Sequence, residues 1–415
     1  MAILCGTDLS AASGGALDVA RALAARRGDE AVFLVHVADD NKSPVELERT
    51  RASLDAIAAK QPAAPAVKPE LIVGEVGEAL TQFSETEGGE LIVIAHHSTH
   101  GSVIRLGSTA AKIIQHASVP VVALRDPAPW LAFAAGQRPL RVLVGVDDSS
   151  TCDLSVQWVH ALRKLGPVEV VLGAIYYPDD AAAHYGLTTD SLVDRHPEIE
   201  ALLARDMLRK FGGDSGSVVA RPRRGLGRIG DHMIDLAREE NIDVIVVGTA
   251  QKTGMSRLGS VSSVIVEDAP QSVVCVPPHA NLATITVPIV RGALAATDLS
   301  AFANRAVGYA FGITEPDGDV HIVHVLDEDA KVNEAELRAS LLALAPAGAK
   351  QKVHAHIVRG DDAATALAQT AARHGVDVIC ISSHGRSGLA RALVGSVADR
   401  LLRATRLPVL VLRPA

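Results

Sequence analysis

A chain of 415 residues is too long for one ordinary domain and suits two to four at roughly 100–200 residues each. Apolar residues make up 48% and charged residues 21%, a globular composition, and the net charge of −8 leaves no basic excess to neutralise a phosphate backbone, so nucleic-acid binding is not expected. Aromatics are only 3%, so the core has to come from Val, Ile, Leu and Ala, which suits parallel strands buried on both faces.

The opening residues carry no basic segment followed by an apolar run, and no stretch approaches the ~18 apolar residues of a membrane span. The four cysteines (5, 152, 275, 380) are far apart and form no CxxC pair, so neither a disulfide framework nor a thiolate zinc site is expected. Three of them lie in apolar, strand-like runs and read as small buried thiols. Cys152 stands near a helix start, where the dipole would lower its pKa; a redox role is conceivable, but the favoured reading is a bland surface or half-buried thiol. The expected setting is the cytoplasm, with no membrane contact.

In chain order the elements repeat three times. The run Ile3-Leu4-Cys5-Gly6-Thr7-Asp8-Leu9-Ser10 returns as Val142-Leu143-Val144-Gly145-Val146-Asp147-Asp148-Ser149 and again as Leu294-Ala295-Ala296-Thr297-Asp298-Leu299-Ser300. Each is an apolar strand ending in Asp-x-Ser, whose side chains cap free N–H groups at a strand-to-helix junction. A second strand follows at 31–37, 168–175 and 320–325. An acidic residue then opens a further apolar strand at Glu90, Asp243 and Asp377. A Gly-Ser pair comes next, at 107–108, 259–260 and 395–396, and a Pro-flanked final strand closes each copy near Val121, Val273 and Val409. The middle copy is about a dozen residues longer, with the extra length expected near 176–200. Buried strands alternating with amphipathic helices predict three tandem doubly wound α/β domains, 1–128, 139–280 and 285–415. Each is a five-stranded parallel sheet with helices on both faces. Linkers are expected at 126–139, which is Pro-rich and contains Trp130, and near 277–283.

These residues resemble the universal stress protein family across almost the whole chain. The opening Asp-x-Ser junction, the His-Val end of the second strand (His36-Val37, His324-Val325) and the closing Val-Pro-Val strand carry the resemblance. So does the loop Ser382-Ser383-His384-Gly385, nine residues, then Gly395-Ser396-Val397, which is similar to the family's Gly-x2-Gly-x9-Gly-Ser/Thr nucleotide loop with Ser382 in place of the first glycine. The resemblance implies a Rossmann-like, adenine-nucleotide-binding fold with ATP, and Mg²⁺ beside it, as cofactor. It implies that Asp298 and the Val325 backbone meet adenine, that Ser382 meets the ribose, and that Gly385, Gly395, Ser396 and Val397 meet the phosphates, with Arg386 adding charge. Physically, such a loop leaves the carboxyl end of a parallel strand, its glycines let backbone approach a phosphate, and the helix opened by Gly395-Ser396 favours an anion.

The other two copies are weaker candidates at Asp8, Val37, Gly107 and Ser108 and at Asp147, Gly248, Gly259 and Ser260. The first has Ala95-His96-His97-Ser98 where the glycines belong and one residue fewer before its Gly-Ser. The second keeps Gly248 but has Gln251 and a loop two residues shorter. The expected function is a stress-linked nucleotide-binding regulator or chaperone-like partner acting through the third domain. The alternatives are an interaction scaffold with relic loops, or a very slow ATPase. No nucleophile–base–orienter set stands out, so no catalytic residue is assigned.

Three other features have bland readings. Ser13-Gly14-Gly15-Ala16-Leu17-Asp18 is similar to the loop of ATP pyrophosphatases, but it sits inside a helix and reads as a small-residue helix start. His96, His97, His100 and His116 read as a solvated loop and not a metal site. Arg221, Arg223, Arg224 and Arg228 form the dense basic run, read as a solvated loop ahead of a helix. The final strands are association-prone edges, and the resemblance implies domains paired through this strand; three copies can form one internal pair and leave one strand uncovered, which predicts a homodimer.

Overall fold

The computed structural model describes residues 2–11, 13–95, 108–147, 149–188, 196–212, 217–249, 260–278, 280, 289–383 and 395–412. In the first repeat the strands are β1 (Ala2–Gly6), β2 (Ala31–Ala38), β3 (Ala66–Val73), β4 (Gly89–Ala95) and β5 (Val121–Leu124). They alternate with α1 (Ser13–Arg27), α2 (Pro44–Ala59), α3 (Val76–Thr86) and α4 (Ser108–His116). A short α5 (Ala128–Ala134) leads to the second repeat. That repeat comprises β6 (Leu140–Gly145), α6 (Ser150–Arg163), β7 (Val168–Tyr176), α7 (Pro178–Tyr185), α8 (Pro197–Phe211), β8 (Val218–Arg224), α9 (Ile229–Glu239), β9 (Val244–Gly248), α10 (Ser260–Asp268) and β10 (Ser272–Val276). The third comprises β11 (Gly292–Ala296), α11 (Arg305–Ile313), β12 (Asp319–Leu326), α12 (Glu334–Leu342), β13 (Lys352–Arg359), α13 (Ala363–His374), β14 (Val378–Ser382), α14 (Ser396–Ala404) and β15 (Val409–Leu412). The extra length of the middle repeat is chiefly α7.

Local chemistry sets many element ends. Ser43 and Glu46 form a capping box at the start of α2, with Pro44 at the first helical position where its missing N–H costs nothing. Asp362 caps α13 by accepting from the Ala364 N–H, and Gly375 ends that helix at φ 63°, a left-handed turn that glycine takes without a Cβ penalty.

Strand order within every repeat places the first strand centrally: β3-β2-β1-β4-β5, β8-β7-β6-β9-β10 and β13-β12-β11-β14-β15. All neighbours inside a repeat are parallel. Alternate residues of each central strand enter opposite cores: Ile3 and Cys5 one, Ala2 and Leu4 the other. In the third repeat Val320 and Ile322 join one core and Val323 the other. Both sheet faces are therefore covered, and the shortage of aromatics is met by small aliphatic side chains.

The first two repeats share one sheet. Their final strands β5 and β10 pair antiparallel, Val121 with Cys275, Val122 with Val274 and Ala123 with Val273, giving ten strands among the described residues. Arg125 fastens the seam, donating its N–H to Ser272 Oγ at 3.1 Å and its guanidinium to the Val266 carbonyl at 3.1 Å. Burial pulls that guanidinium down to about 10.

Contacts divide the chain into two units, one of Met1–Tyr176 with Asp206–Ala283, the other of Tyr177–Arg205 with Thr284–Ala415. The second unit thus combines the third repeat with α7 and the first part of α8, both from the middle repeat. Gln369 of α13 donates to the Ala183 carbonyl at 3.0 Å, and Arg373 donates to the Tyr185 carbonyl at 3.2 Å.

The expected linker at 126–139 is not a passive one. It forms α5, whose Trp130 and Phe133 are fully buried in the core of the first unit. Their three-residue spacing puts both rings on one helix face, so burial of two large apolar side chains outweighs the Pro content. Among the described residues no helix is long and apolar enough to cross a membrane.

Candidate functional site

In the five-stranded sheet of the third repeat, β11 lies between β12 and β14, so the chain crosses to one side after β11 and to the other before β14. The crevice outside the carboxyl ends of these strands is the switch point where open α/β sheets receive ligands. Asp298 stands there, two residues past β11. Its Oδ1 accepts the Ser300 N–H at 3.0 Å, and the intervening Leu299 is held at φ 65°. A non-glycine residue in that region costs about 1–2 kcal/mol and persists only where its surroundings hold it. The holding groups are Thr297 and His324. Thr297 Oγ1 accepts the Leu299 N–H at 2.9 Å and donates to Asn304 Oδ1 at 2.7 Å. Buried His324 donates from Nδ1 to the Thr297 carbonyl at 2.8 Å, which leaves its Nε2 as the bare nitrogen when neutral.

The first repeat builds the same device. Ser10 N–H donates to Asp8 Oδ1 at 2.9 Å, Leu9 sits at φ 63°, Leu9 N–H donates to Thr7 Oγ1 at 3.0 Å, and His36 Nδ1 donates to the Thr7 carbonyl at 2.8 Å. Partial burial raises the Asp8 pKa, but hydrogen bonds from Ser10 and Ser13 outweigh it and hold the carboxyl below its usual range. The second repeat keeps the Asp147 turn, with Ser149 N–H at 2.9 Å from Oδ1, but carries Val146 and Ala174 where the threonine and histidine belong. The Thr–His strut escaped the sequence reading, although Thr7-Asp8 and Thr297-Asp298 beside His36 and His324 were its visible signal.

The remaining candidates fall as follows. Val325 lies near the carboxyl end of β12, its side chain packed against the core, so only its backbone faces a ligand role. Ser382 is the last residue of β14 and is buried. Gly395 caps α14 at φ −55°, so it needs no left-handed backbone; Ser396 is the first helical residue and Val397 packs against the core. The structure therefore brings Asp298, Val325 and Ser382 to the ends of three adjacent strands, and Gly395-Ser396 open the crossover leaving β14. Gly385 and Arg386 lie outside the described residues.

Of the weaker set, Val37 is the next-to-last residue of β2, while Ser108 and Ser260 open α4 and α10. Gly107 and Gly259 lie outside the described residues. Gly248 ends β9, and a Cβ there would stand 2.6 Å from Thr151 Cβ and 2.9 Å from the Thr151 backbone carbonyl carbon. Close packing of α6 on β9 already explains that glycine.

The structure corrects the reading of the arginine run and bears out the bland reading of Cys152. Arg221, Arg223 and Arg224 lie on strand β8, not in a solvated loop, and acidic partners neutralise the run: Arg221 with Glu240 at 2.5 Å, Arg223 with Glu239 at 2.9 Å, and Arg228 with Asp231 at 2.9 Å. Cys152 is near the start of α6 but is 2% exposed, and burial pushes its thiol up to about 11, overriding the helix dipole. Cys5, Cys275 and Cys380 are likewise buried, each raised by burial to about 12. Ser13-Gly14-Gly15 opens α1 as expected. His116 ends α4, its ring bonded to the Lys112 carbonyl at 2.8 Å, while His96, His97 and His100 lie outside the described residues. The sequence reading passed over four histidines of the third repeat, 321, 354, 356 and 374, which the fold gathers. The strand spacing His354-x-His356 was the available signal.

Comparison with known proteins agrees with this architecture. The profile of the universal stress protein family matches residues 1–125, 140–277 and 291–413. A universal stress protein of Mycobacterium tuberculosis H37Rv is 31% identical over 199 residues, an alignment covering 44% of this chain and 64% of that protein, so the match spans less than two thirds of the relative. A universal stress protein crystal structure from Archaeoglobus fulgidus aligns over 66% of this chain and 96% of that one, at 20% identity and a TM-score of 0.49. Another, solved in complex with cAMP, aligns over 31% of this chain and 100% of that one, at 20% identity and a TM-score of 0.25. The three profile matches together cover nearly the whole sequence, and the chain belongs to the universal stress protein family.

Proposed function

We propose that this protein binds an adenine nucleotide, ATP foremost, through its third repeat and acts as a stress-linked regulator in the cytoplasm. The observation that carries this reading is the convergence at one sheet edge of the braced Asp298 turn, the Val325 backbone, Ser382 at the end of β14, and the α14 N-terminus opened by Gly395-Ser396. Asp298 and the Val325 carbonyl and N–H would read the adenine edge, and the Ser382 hydroxyl would meet the ribose. The first-turn N–H groups of α14 and the Ser396 hydroxyl would receive phosphate oxygens, aided by the helix dipole, with Mg²⁺ as the phosphates' counter-ion. Gly385 and Arg386 complete the proposed loop.

The test is calorimetric titration of the full chain with Mg·ATP. Wild type binds, and Ser396→Ala weakens binding about tenfold, the worth of one hydrogen bond to a charged group. Absence of binding at millimolar ATP, or equal affinity in the variant, rejects the reading. The first two repeats serve as packing partners in this scheme, as the close fit of Thr151 on Gly248 and the β5–β10 seam support.

The same seam supports a homodimer. β5 and β10 are buried along their length, whereas Val409, Leu410 and Val411 of β15 are only half-buried and β15 is the last strand of its sheet among the described residues. A second copy supplies the missing neighbour, strand to strand. Light scattering at the mass of one chain rejects this assembly.

A further inference from the structure

Four histidines gather in the five-stranded sheet of the third repeat, toward the end opposite the proposed nucleotide site. His321 is the third residue of β12, and the parallel register sets it beside His354 of β13, with His356 next to Val323. Side chains two apart on a strand share a face, so His321, His354 and His356 all point to the side covered by α13. That helix runs back toward the amino-terminal ends of the strands and finishes at His374. The rings stack: His321 lies 4.7 Å from His354, 5.2 Å from His356 and 4.8 Å from His374, and His356 lies 4.3 Å from His374. His321 Nδ1 is 3.0 Å from His356 Nε2.

The sibling repeats supply an internal control. The registers β1–β2–β3 and β6–β7–β8 place Phe33, Lys68 and Glu70, or Val171, Val219 and Arg221, where the third repeat has His321, His354 and His356. The residue before the left-handed helix end is Glu87 in the first repeat, Glu240 in the second and His374 in the third. In the second repeat the matching pair, Arg221 and Glu240, is an ion pair. The fold is thus built twice in this chain without any histidine here, so packing alone does not call for four imidazoles.

We propose that His321, His356 and His374 form a binding site for a divalent transition cation, zinc foremost. One ligand nitrogen from each lies within 4.8 Å of the others. Tetrahedral zinc, with Zn–N bonds of about 2.0–2.1 Å, needs nitrogens about 3.4 Å apart, so ring rotation and a shift of about 1 Å close the site. His374 is partly buried on the last turn of α13, at the negative end of a helix dipole. An all-imidazole set selects zinc, copper or nickel over calcium and magnesium. His354 stays beside the site, its Nε2 bonded to Asp319 Oδ1 at 2.7 Å, and that carboxylate supplies negative charge near His321. The facing guanidiniums are engaged elsewhere: Arg338 on the Ala355 carbonyl, Arg205 on the Ala372 and Arg373 carbonyls. The fourth coordination position is left to water.

The test uses the full, untagged chain without nucleotide, and zinc chloride alone as the probe. Zinc bound per chain is measured by competition with a chromophoric chelator for wild type, His356→Gln and His374→Gln. The expected result is one zinc per wild-type chain at micromolar free zinc and affinity at least a hundredfold weaker in both variants, with unchanged circular dichroism. His374→Gln guards against a folding artefact, since it alters a half-exposed helix end. Zinc uptake equal in wild type and variants, as on exposed histidines elsewhere, overturns the site, and so does the absence of uptake by wild type.

Discussion

The histidine cluster makes the stability of the second unit depend on pH in a direction that can be worked out. Burial first, then His374, His356 and His354, push His321 from 6.5 down to about 3, with Asp319 pulling the other way. Burial, then His374, His354 and Arg338, push His356 down to about 4, and burial with Arg373, Arg205 and His354 lowers His374. Below pH 6.5 the unfolded chain binds these protons and the folded chain does not, so stability is full above that value and falls as pH drops toward 3. At pH 5.0 each fully depressed histidine costs about 2 kcal/mol. His321, 7% exposed, counts in full; His356, less deeply buried, is discounted for solvent screening to about 1 kcal/mol, so the pair costs about 3 kcal/mol. Carboxylates also titrate in this range, so the comparison is with His321→Val, the residue Val171 holding the matching place in the second repeat. The assay is urea unfolding in the presence of a chelator at pH 7.5 and 5.0, followed by far-ultraviolet circular dichroism because both tryptophans lie in the first unit. Acidification should cost the variant about 2 kcal/mol less than wild type. Identical pH dependences would refute the reasoning.

Three further outcomes follow from the packing. Trp130→Ala removes a fully buried ring from α5 and should cost about 3–5 kcal/mol by thermal unfolding; a cost under about 1 kcal/mol would return residues 126–139 to a passive linker. Gly248→Ala places a Cβ 2.6 Å from Thr151 Cβ and should cost about 1–3 kcal/mol in urea, with no loss meaning that α6 has slack against β9. A thiol reagent at pH 8 should titrate none of the four cysteines in the native chain and all four in denaturant, since all are buried; rapid native reaction would restore a reactive Cys152.

Much of the fold was legible because its signals are local. Apolar runs ending in Asp-x-Ser marked the junctions after β1, β6 and β11, and the acidic residues ahead of β9 and β14 proved to cap strand starts: Asp243 accepts the Arg141 N–H at 2.9 Å and Asp377 the Gly292 N–H at 2.8 Å. Less legible were features whose meaning depends on neighbours. Arg221, Arg223 and Arg224 read as a basic loop because Glu239 and Glu240, which neutralise two of them, lie a helix away. The histidines crowded at 96–100 drew attention as a candidate metal site, whereas His321, His356 and His374 are dispersed along the chain and meet only across β12, β13 and α13.

The unit of construction was written in the sequence: one Val/Ile/Leu/Ala sheet repeated three times, each first strand closed by an Asp-x-Ser turn, with the third copy holding the loop most similar to the family's nucleotide loop. That information is carried by periodicity and short-range hydrogen bonding, which few residues specify. Tertiary structure alone decided which final strands meet. Val121–Leu124, Ser272–Val276 and Val409–Leu412 are all apolar edges of similar character, so nothing local distinguishes them. The choice of β5 with β10, the burial of α5, and the transfer of α7 to the second unit depend on shape and on backbone groups meeting across long stretches of chain. Edge pairing rewards any unsatisfied strand, and only the full packing settles which one is satisfied.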